Sequence, residues 1–324
     1  ANRRMGGARA IALGVLTGGA ATFGLYKLAR YTIFGRWEWV RVGTVKSLHV
    51  YPIKSCMGCE TQELSIDSYG AVSDRRFVVV DERNRFVTQR QEAEMCLIKA
   101  TVLPTGQLCL EAPGMTTLRI TPITEEGPGG QLTIGIWDDE VRGIDQGPAA
   151  ADWLTHYLKR PLKLVGMPAR TYTRPTDARY TPKGTVGHAA YSDGFPFLLA
   201  TESSLIDLNS RLRTPLPMNR FRPNIVLGGV DTPWAEDTWR EITIGEQKFV
   251  ACKPCSRCKI TTTDQSDGTR AEEPLVTLAT FRSKRHLGTR AGDKTDVFFG
   301  QNLCHFGPGK VRVGDAVHAR VWVW

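Results

Sequence analysis

The chain has 324 residues, of which 41% are apolar and 23% charged, an ordinary globular balance that suits about two folded domains and excludes a wholly disordered or fibrous protein. Its formal charge of +9 is largely an N-terminal property: residues 1–37 hold Arg3, Arg4, Arg9, Lys27, Arg30 and Arg36 and no Asp or Glu. Setting those six aside from the 42 basic residues leaves 36 against 33 acidic ones, and no Lys/Arg run elsewhere is long enough to point to nucleic acid.

The first element in chain order is an uncharged stretch of 17 residues, 10–26. As a helix it would span about 25 Å, a little less than the ~30 Å hydrocarbon core of a bilayer. Arg9 on one side and Lys27 and Arg30 on the other can snorkel. Tyr31, Trp37 and Trp39 follow at a position that suits an interfacial belt, and Gly14 and Gly18 form a GxxxG pair. Residues 1–40 therefore read as a targeting segment with a single membrane helix. A cleaved organelle-targeting peptide and a buried or interfacial helix are the competing readings.

From Val42 the pattern turns strand-like. VGTVKSLHVYPI alternates and is rich in β-branched residues, and RFVVVDERNRFVTQR reads as a hairpin turning at residues 81–85. Short strands follow at residues 108–110, 117–120 and 131–134, separated by Pro/Gly turns. Residues 149–159 predict a helix with Trp153, Leu154, Tyr157 and Leu158 on one face, and residues 202–211 a second helix that Ser or Thr can cap. Between them residues 167–191, rich in Pro, Arg and Gly, read as a crossing segment. The later runs RPNIVLGGV, WREITIGEQKFVAC and KVRVGDAVHARVWVW suit a small β-barrel. The expected fold is thus mixed α+β and β-rich: an anchor at 1–40, a β-rich domain at 41–168 and a β-barrel domain at 169–324.

Eight cysteines are present, at 56, 59, 96, 109, 252, 255, 258 and 304. Their clustering as Cys56/Cys59 and Cys252/Cys255/Cys258 speaks for metal or redox chemistry in a reducing compartment rather than a secreted disulfide framework. In ACKPCSRCKITTT the cations Lys253, Arg257 and Lys259 stand beside the thiols, which favours thiolate, the form that ligates metal. An iron–sulfur cluster would want a fourth cysteine where Thr262 stands. A zinc site joining Cys56 and Cys59 to two later cysteines, small buried thiols with no ligand, and a single cysteine ligand to a pterin-bound metal all remain open on spacing alone.

Longer motifs carry a resemblance. VYPIKSCMG, GAVSDRRFVVVDERNRFVTQRQ, MNRFRPNIVL, CSRCKITTTD, the FGQN at 299–302 and the VGD at 313–315 resemble the family of molybdenum-cofactor sulfurase C-terminal domain proteins, MOSC for short. The likeness runs from about Val42 to the C-terminus and is nearest to the family's branch of mitochondrial amidoxime-reducing components. It implies a MOSC N-terminal domain followed by a MOSC barrel, and a molybdenum–pterin cofactor. Cys258 is the implied metal ligand and catalytic residue; Lys54, Ser55, Arg75, Arg222, Asn224 and Ser256 are the implied cofactor contacts. One departure stands out: where animal members carry Thr–Ser before Pro–Phe, this chain has Gly194 and Phe195, so two side-chain hydroxyls are missing from the expected pocket.

The implied activity is two-electron reduction of small N-hydroxylated compounds such as amidoximes and hydroxylamines. The sequence holds no haem-attachment C-x-x-C-H and no clear dinucleotide fingerprint, so electrons must come from outside. In the family the donors are cytochrome b5 and its NADH-dependent reductase. The implied location is a mitochondrial membrane, the outer one by resemblance, the inner one if the chain is an accessory subunit of a larger membrane complex. That subunit role, and sulfur transfer through a Cys258 persulfide, are the alternatives in other functional classes.

Overall fold

The computed structural model describes residues 35–124, 131–170 and 172–323. The expected membrane helix at residues 10–26 lies outside the described residues, and among those described no helix is long and apolar enough to cross a membrane.

Seven strands close into a barrel: β1 (Arg36–Val50), β2 (Phe197–Thr201), β3 (Ile225–Gly228), β4 (Glu241–Ile244), β5 (Gln247–Arg257), β6 (Val297–His305) and β7 (Ala316–Val323). Their order is β3–β2–β6–β5–β4–β7–β1, and β1 pairs again with β3 to complete the ring. Only β2 and β3 run parallel; the other barrel neighbours are antiparallel. The long β1 serves two partners, β7 over Arg36–Thr44 and β3 over Thr44–Leu48, and register shifts at Arg41/Gly43 and Val45/Ser47 bend it between them.

Alternation fills the interior. Ile242 and Ile244 of β4, Val317 and Ala319 of β7, Ile225 and Leu227 of β3, and Phe197 and Leu199 of β2 all point inward and are buried. Each of the larger aliphatic or aromatic side chains among them contributes about 1.5–3 kcal/mol on leaving water.

The N-terminal unit packs against one end of this barrel. Its four-stranded antiparallel sheet has the order Phe77–Val80, Lys163–Gly166, Asp139–Asp145, Gln131–Ile136. The expected hairpin at 81–85 is present, closed by the Asp81 N–H to the Arg85 carbonyl at 3.0 Å. Helix α1 (Pro148–Leu158) begins with proline in its first turn, after Gly147 at φ 89°, and buries Ala150, Trp153, Leu154 and Leu158 against the sheet and Met95. It closes one residue earlier than expected because Lys159 turns left-handed at φ 57°. Helix α2 (Glu202–Asn209) is capped by Thr201, whose hydroxyl accepts from the Ser204 N–H. Among the described residues the crossing segment has no helix or strand between Gly166 and Phe197. β1 precedes the N-terminal unit in sequence yet hydrogen-bonds into the barrel, so the chain leaves the barrel, builds the smaller unit and returns.

Candidate active site in the cleft between barrel and N-terminal unit

A cleft of about 760 Å³ opens where the two units meet, and Lys54, Ser55, Arg75, Arg222, Asn224, Ser256 and Cys258 all line it. They reach it from four separated stretches of chain.

Lys54 and Ser55 sit in the tight turn after β1. Ser55 is left-handed, at φ 66°, and its carbonyl accepts from Gln89 Nε2 at 2.7 Å. Lys54 is 4% exposed. Its ammonium donates to the Tyr191 carbonyl at 2.9 Å and pairs with Asp193. Burial pulls it down to about 8 while Asp193 opposes that shift, so it remains a cation at neutral pH. Burial alone would raise the Asp193 carboxyl, but Lys54 and Arg90 hold it well below the usual carboxylate range.

Arg75 and Arg222 are left-handed too, at φ 47° and 56°. Non-glycine residues in this region carry strain of order 1–3 kcal/mol, tolerated where the surroundings fix them. Here Tyr51 does so: its ring lies against both guanidinium groups, 4.2 Å from Arg75 Cζ and 4.3 Å from Arg222 Cζ. The Tyr51 hydroxyl donates to the Pro223 carbonyl at 3.0 Å, and burial pushes it up to about 12. Arg222 is 8% exposed, its ionised form is disfavoured by that burial, and its Nη2 has no partner. A buried guanidinium nitrogen lining a polar cleft without an acceptor is a donor held for a ligand.

Asn224 plays a different part. Its Oδ1 accepts from Arg75 Nη1 at 3.0 Å and from the Leu198 N–H at 3.2 Å, and its Nδ2 donates to the His49 carbonyl at 3.2 Å. The amide therefore ties β1, β2 and Arg75 together and acts on the cleft through Arg75.

The cysteine strand enters by way of two irregularities. Cys252 is the extra residue of a bulge between Ala251 and Lys253, and a second shift follows between Pro254 and Ser256. Opposite the second, Gly300 takes φ 77°, and a Cβ there would stand 2.6 Å from the Leu199 carbonyl oxygen, so only glycine fits. The displaced strand delivers Cys255, Ser256 and Cys258 to the cleft. Cys258 then starts the short 3-10 turn Lys259–Thr262, its carbonyl accepting from the Thr261 N–H at 3.0 Å.

The cation on Cys258 is not a sequence neighbour. Arg90 Nη2 donates to Cys258 Sγ at 3.0 Å. The Arg90 guanidinium lies 4.5 Å from the ring of Trp137, and Trp137 Nε1 donates to Asp193 at 3.1 Å. Arg257, expected beside this thiol, instead donates to Cys255 Sγ at 2.9 Å and to the Phe221 carbonyl at 2.7 Å. Lys253 sits over the rings of Tyr180 and Phe195. Arg174 ties the crossing segment to the strand Asp139–Asp145 through Asp139 at 2.8 Å and donates to the Asp193 carbonyl at 3.1 Å. Sequence reasoning misses Arg90, Trp137, Arg174 and Asp193. Arg90 lies within the RFVTQRQ run, but nothing local separates it from a surface arginine.

The other cysteines disperse. Cys59 turns to the Ala100 carbonyl, Cys56 and Cys96 are buried, and burial raises both thiols, to about 12 and about 11. Cys252 neighbours Cys304, and its thiol is pushed up by donating to that partner and by burial. Among the described residues no three His, Cys, Asp or Glu side chains gather to hold a metal ion. The zinc and iron–sulfur readings thus find no multi-residue ligand set there.

Gly194 and Phe195 both line the cleft. A Cβ at Gly194 would meet nothing within 4 Å, whereas the Phe195 ring is 7% exposed. Of these two positions, where the resemblance implies hydroxyls, the first is open space and the second is filled by a buried ring.

Taken as chemistry, the cleft offers two thiols that each carry a guanidinium on the sulfur, Cys258 with Arg90 and Cys255 with Arg257, together with buried cations and a spare donor. That set fits an anionic ligand carrying a thiophilic metal.

Comparison with known proteins agrees on kinship. Residues 42–161 match the MOSC N-terminal beta barrel domain and residues 187–318 match the MOSC domain. The chain is 34% identical over 317 residues to mitochondrial amidoxime-reducing component 1 of Homo sapiens, covering 93% of this chain and 92% of that protein. It is 36% identical to component 1 of Mus musculus, covering 93% and 91%, and 34% identical to component 2 of Rattus norvegicus, covering 94% and 93%.

Proposed function

This chain belongs to the MOSC family, and on that footing we propose that it is a molybdenum-cofactor-dependent reductase of small N-hydroxylated compounds. The observation that carries the reading is the meeting, in one cleft, of the Cys258 thiol under Arg90 with three buried or half-buried cations, one of which has an unspent donor at Arg222 Nη2.

In this reading Cys258 Sγ holds the metal. Lys54, Arg75 and Arg222 neutralise the phosphate and the anionic core of the pterin, and Ser55 and Ser256 border it. Asn224 keeps Arg75 in place. When bound, the cofactor supplies two-electron chemistry at the metal, and the overall change takes two electrons and two protons to turn N–OH into N–H with release of water. The protein's own groups prepare the site. Tyr51 holds the two guanidinium groups in a fixed geometry, so their charges need no reorganisation. Arg90 orients the sulfur lone pairs, much as outer partners orient metal ligands generally. Trp137 and Phe195 give the cleft apolar walls that shed water from an organic substrate.

Electrons would arrive from an external donor, cytochrome b5 fed by its NADH-dependent reductase, with the substrate entering the open side of the cleft. A mitochondrial membrane location, with residues 10–26 as anchor, completes the proposal; anchoring beside an anchored donor raises its effective concentration. The names of the relatives support the mitochondrial and amidoxime-reducing parts. Metal analysis and a benzamidoxime reduction assay, with and without cytochrome b5, test it together. About one molybdenum per chain and donor-dependent turnover are expected; stoichiometric zinc, or no metal with no turnover, refutes it.

A further inference from the structure

Pairing between the first and last strands builds a surface that neither strand carries alone. In the register of β1 with β7, Trp37 stands opposite Trp322 and Trp39 opposite Arg320. Trp37, Trp39 and Trp322 are 38%, 49% and 43% exposed, among the most exposed large apolar side chains described. The indoles of Trp37 and Trp322 meet edge to face at 5.5 Å between centroids. The alternate residues of the same ribbon face the other way: Ala319 is buried in the barrel core and Val321 packs against it. Three indoles therefore share the outer face, while the barrel is filled from the inner one.

The charge around them is basic. Arg36 pairs with Glu38 and Arg320 with Glu241, but Arg41 and Arg240 form no ion pair among the described residues, and Arg240 Cζ lies 6.0 Å from the Trp37 ring centroid. The chain outside the described residues adds to this. The uncharged stretch ends at Tyr26, and β1 starts at Arg36, so Trp37 follows it by 11 residues. That length reaches at most about 36–40 Å when fully extended. Residues 1–34 contribute five further cations and no acid.

We propose that the Trp37–Trp39–Trp322 face rests in the interfacial layer of an anionic lipid bilayer, so that the barrel lies against the membrane surface. Indoles have an apolar body and an N–H that suit the headgroup boundary, and arginines without a carboxylate partner are drawn to anionic headgroups. The surface stands on its own residues; only the tether rests on reading 10–26 as the anchor.

The full chain reconstituted in phosphatidylcholine/phosphatidylserine vesicles tests it. No tryptophan precedes Trp37, so quenching of indole fluorescence by brominated lipid reports on the folded part and not on the anchor. The native chain is expected to be quenched, and W37F/W39F/W322F to lose more than about half of that quenching while still floating with the vesicles. Phenylalanine keeps the strand propensity, so the barrel survives the exchange. Floating with equal quenching in both proteins, or with none in either, overturns the surface and leaves the anchor standing. A chain that does not float overturns both.

Discussion

Arg90 and Cys258 lie 168 residues apart in sequence, yet the guanidinium Nη2 of one donates to the sulfur of the other at 3.0 Å. The arginine is steered there by the Trp137 ring and by Asp193, so a hairpin of the N-terminal unit sets the environment of a barrel cysteine. Arg90→Ala should lower molybdenum retention or turnover by about 10–100-fold, the usual cost of removing a partner that orients a ligand. Arg90→Lys should recover only part, because an ammonium lacks the planar fork that stacks on Trp137 while reaching the sulfur. Metal content after extensive dialysis, beside kcat and KM, checks this.

Cys258→Ala should abolish both bound molybdenum and reduction, whereas Cys255→Ala should keep both. Cys258 is only half-buried and starts a turn through its backbone, so the thermal midpoint should shift by no more than about 2 °C. Metal analysis of the two variants separates a single-ligand site from one that shares the cluster.

Asn224→Ala should act mainly on stability. It strips partners from Arg75 Nη1, the Leu198 N–H and the His49 carbonyl at once. Leaving such buried groups unmatched costs about 2–4 kcal/mol. Denaturant unfolding should show that loss, and cofactor affinity should fall with it because Arg75 loses its brace.

Gly194 and Phe195, neighbours in the cleft wall, should respond oppositely. Gly194→Thr meets open space and requires no unusual φ, so the midpoint should stay within about 2 °C while KM changes. Phe195→Ser empties a buried ring from under Lys253 and should cost about 3–5 kcal/mol. Unfolding curves and substrate titrations on the two single variants check both directions.

Glu236 supplies a pH dependence unrelated to the cleft. It is fully buried, accepts from the Ser204 hydroxyl at 2.7 Å, and burial raises its carboxyl from 4.5 to about 6. A carboxyl raised on folding stabilises fully below its unfolded value and loses that contribution as pH climbs through the folded one. Glu236→Gln should therefore gain on the native protein by about 2 kcal/mol between pH 4.5 and 7.5. Unfolding measured across that range should show the two curves diverging upward in pH; parallel curves would contradict it.

Local signals carry much of the fold. The apolar face of α1 and Pro148 at its start are readable, and so is Thr201 before α2, because caps and periodicity act within a few residues. The barrel's alternation in β7 is equally plain. What cannot be read is which strands pair: nothing in β1 announces that its first half meets β7 and its second half β3. The site divides the same way. Its cations and Cys258 are named through motif resemblance, since a lone arginine has no local signature. Arg90, Trp137 and Asp193 escape because their role exists only after the hairpin folds over the barrel. Asn224 is a ligand contact by its motif; it does line the cleft, and what the motif does not disclose is that its amide also braces three protein partners.

The pairing of β1 with β7 also fixes a timetable. Among the described residues the first strand to be synthesised, β1, has as its neighbour one that ends at Val323, so β1 must wait, one edge unsatisfied, through the making of everything between. Domains commonly mature in order of synthesis, but here that economy is open only to the N-terminal unit, and the barrel's pairing of distant segments slows its closure further. A chain that ended before β7 would present an unpaired β1 edge, open to pairing with the same edge of another such copy.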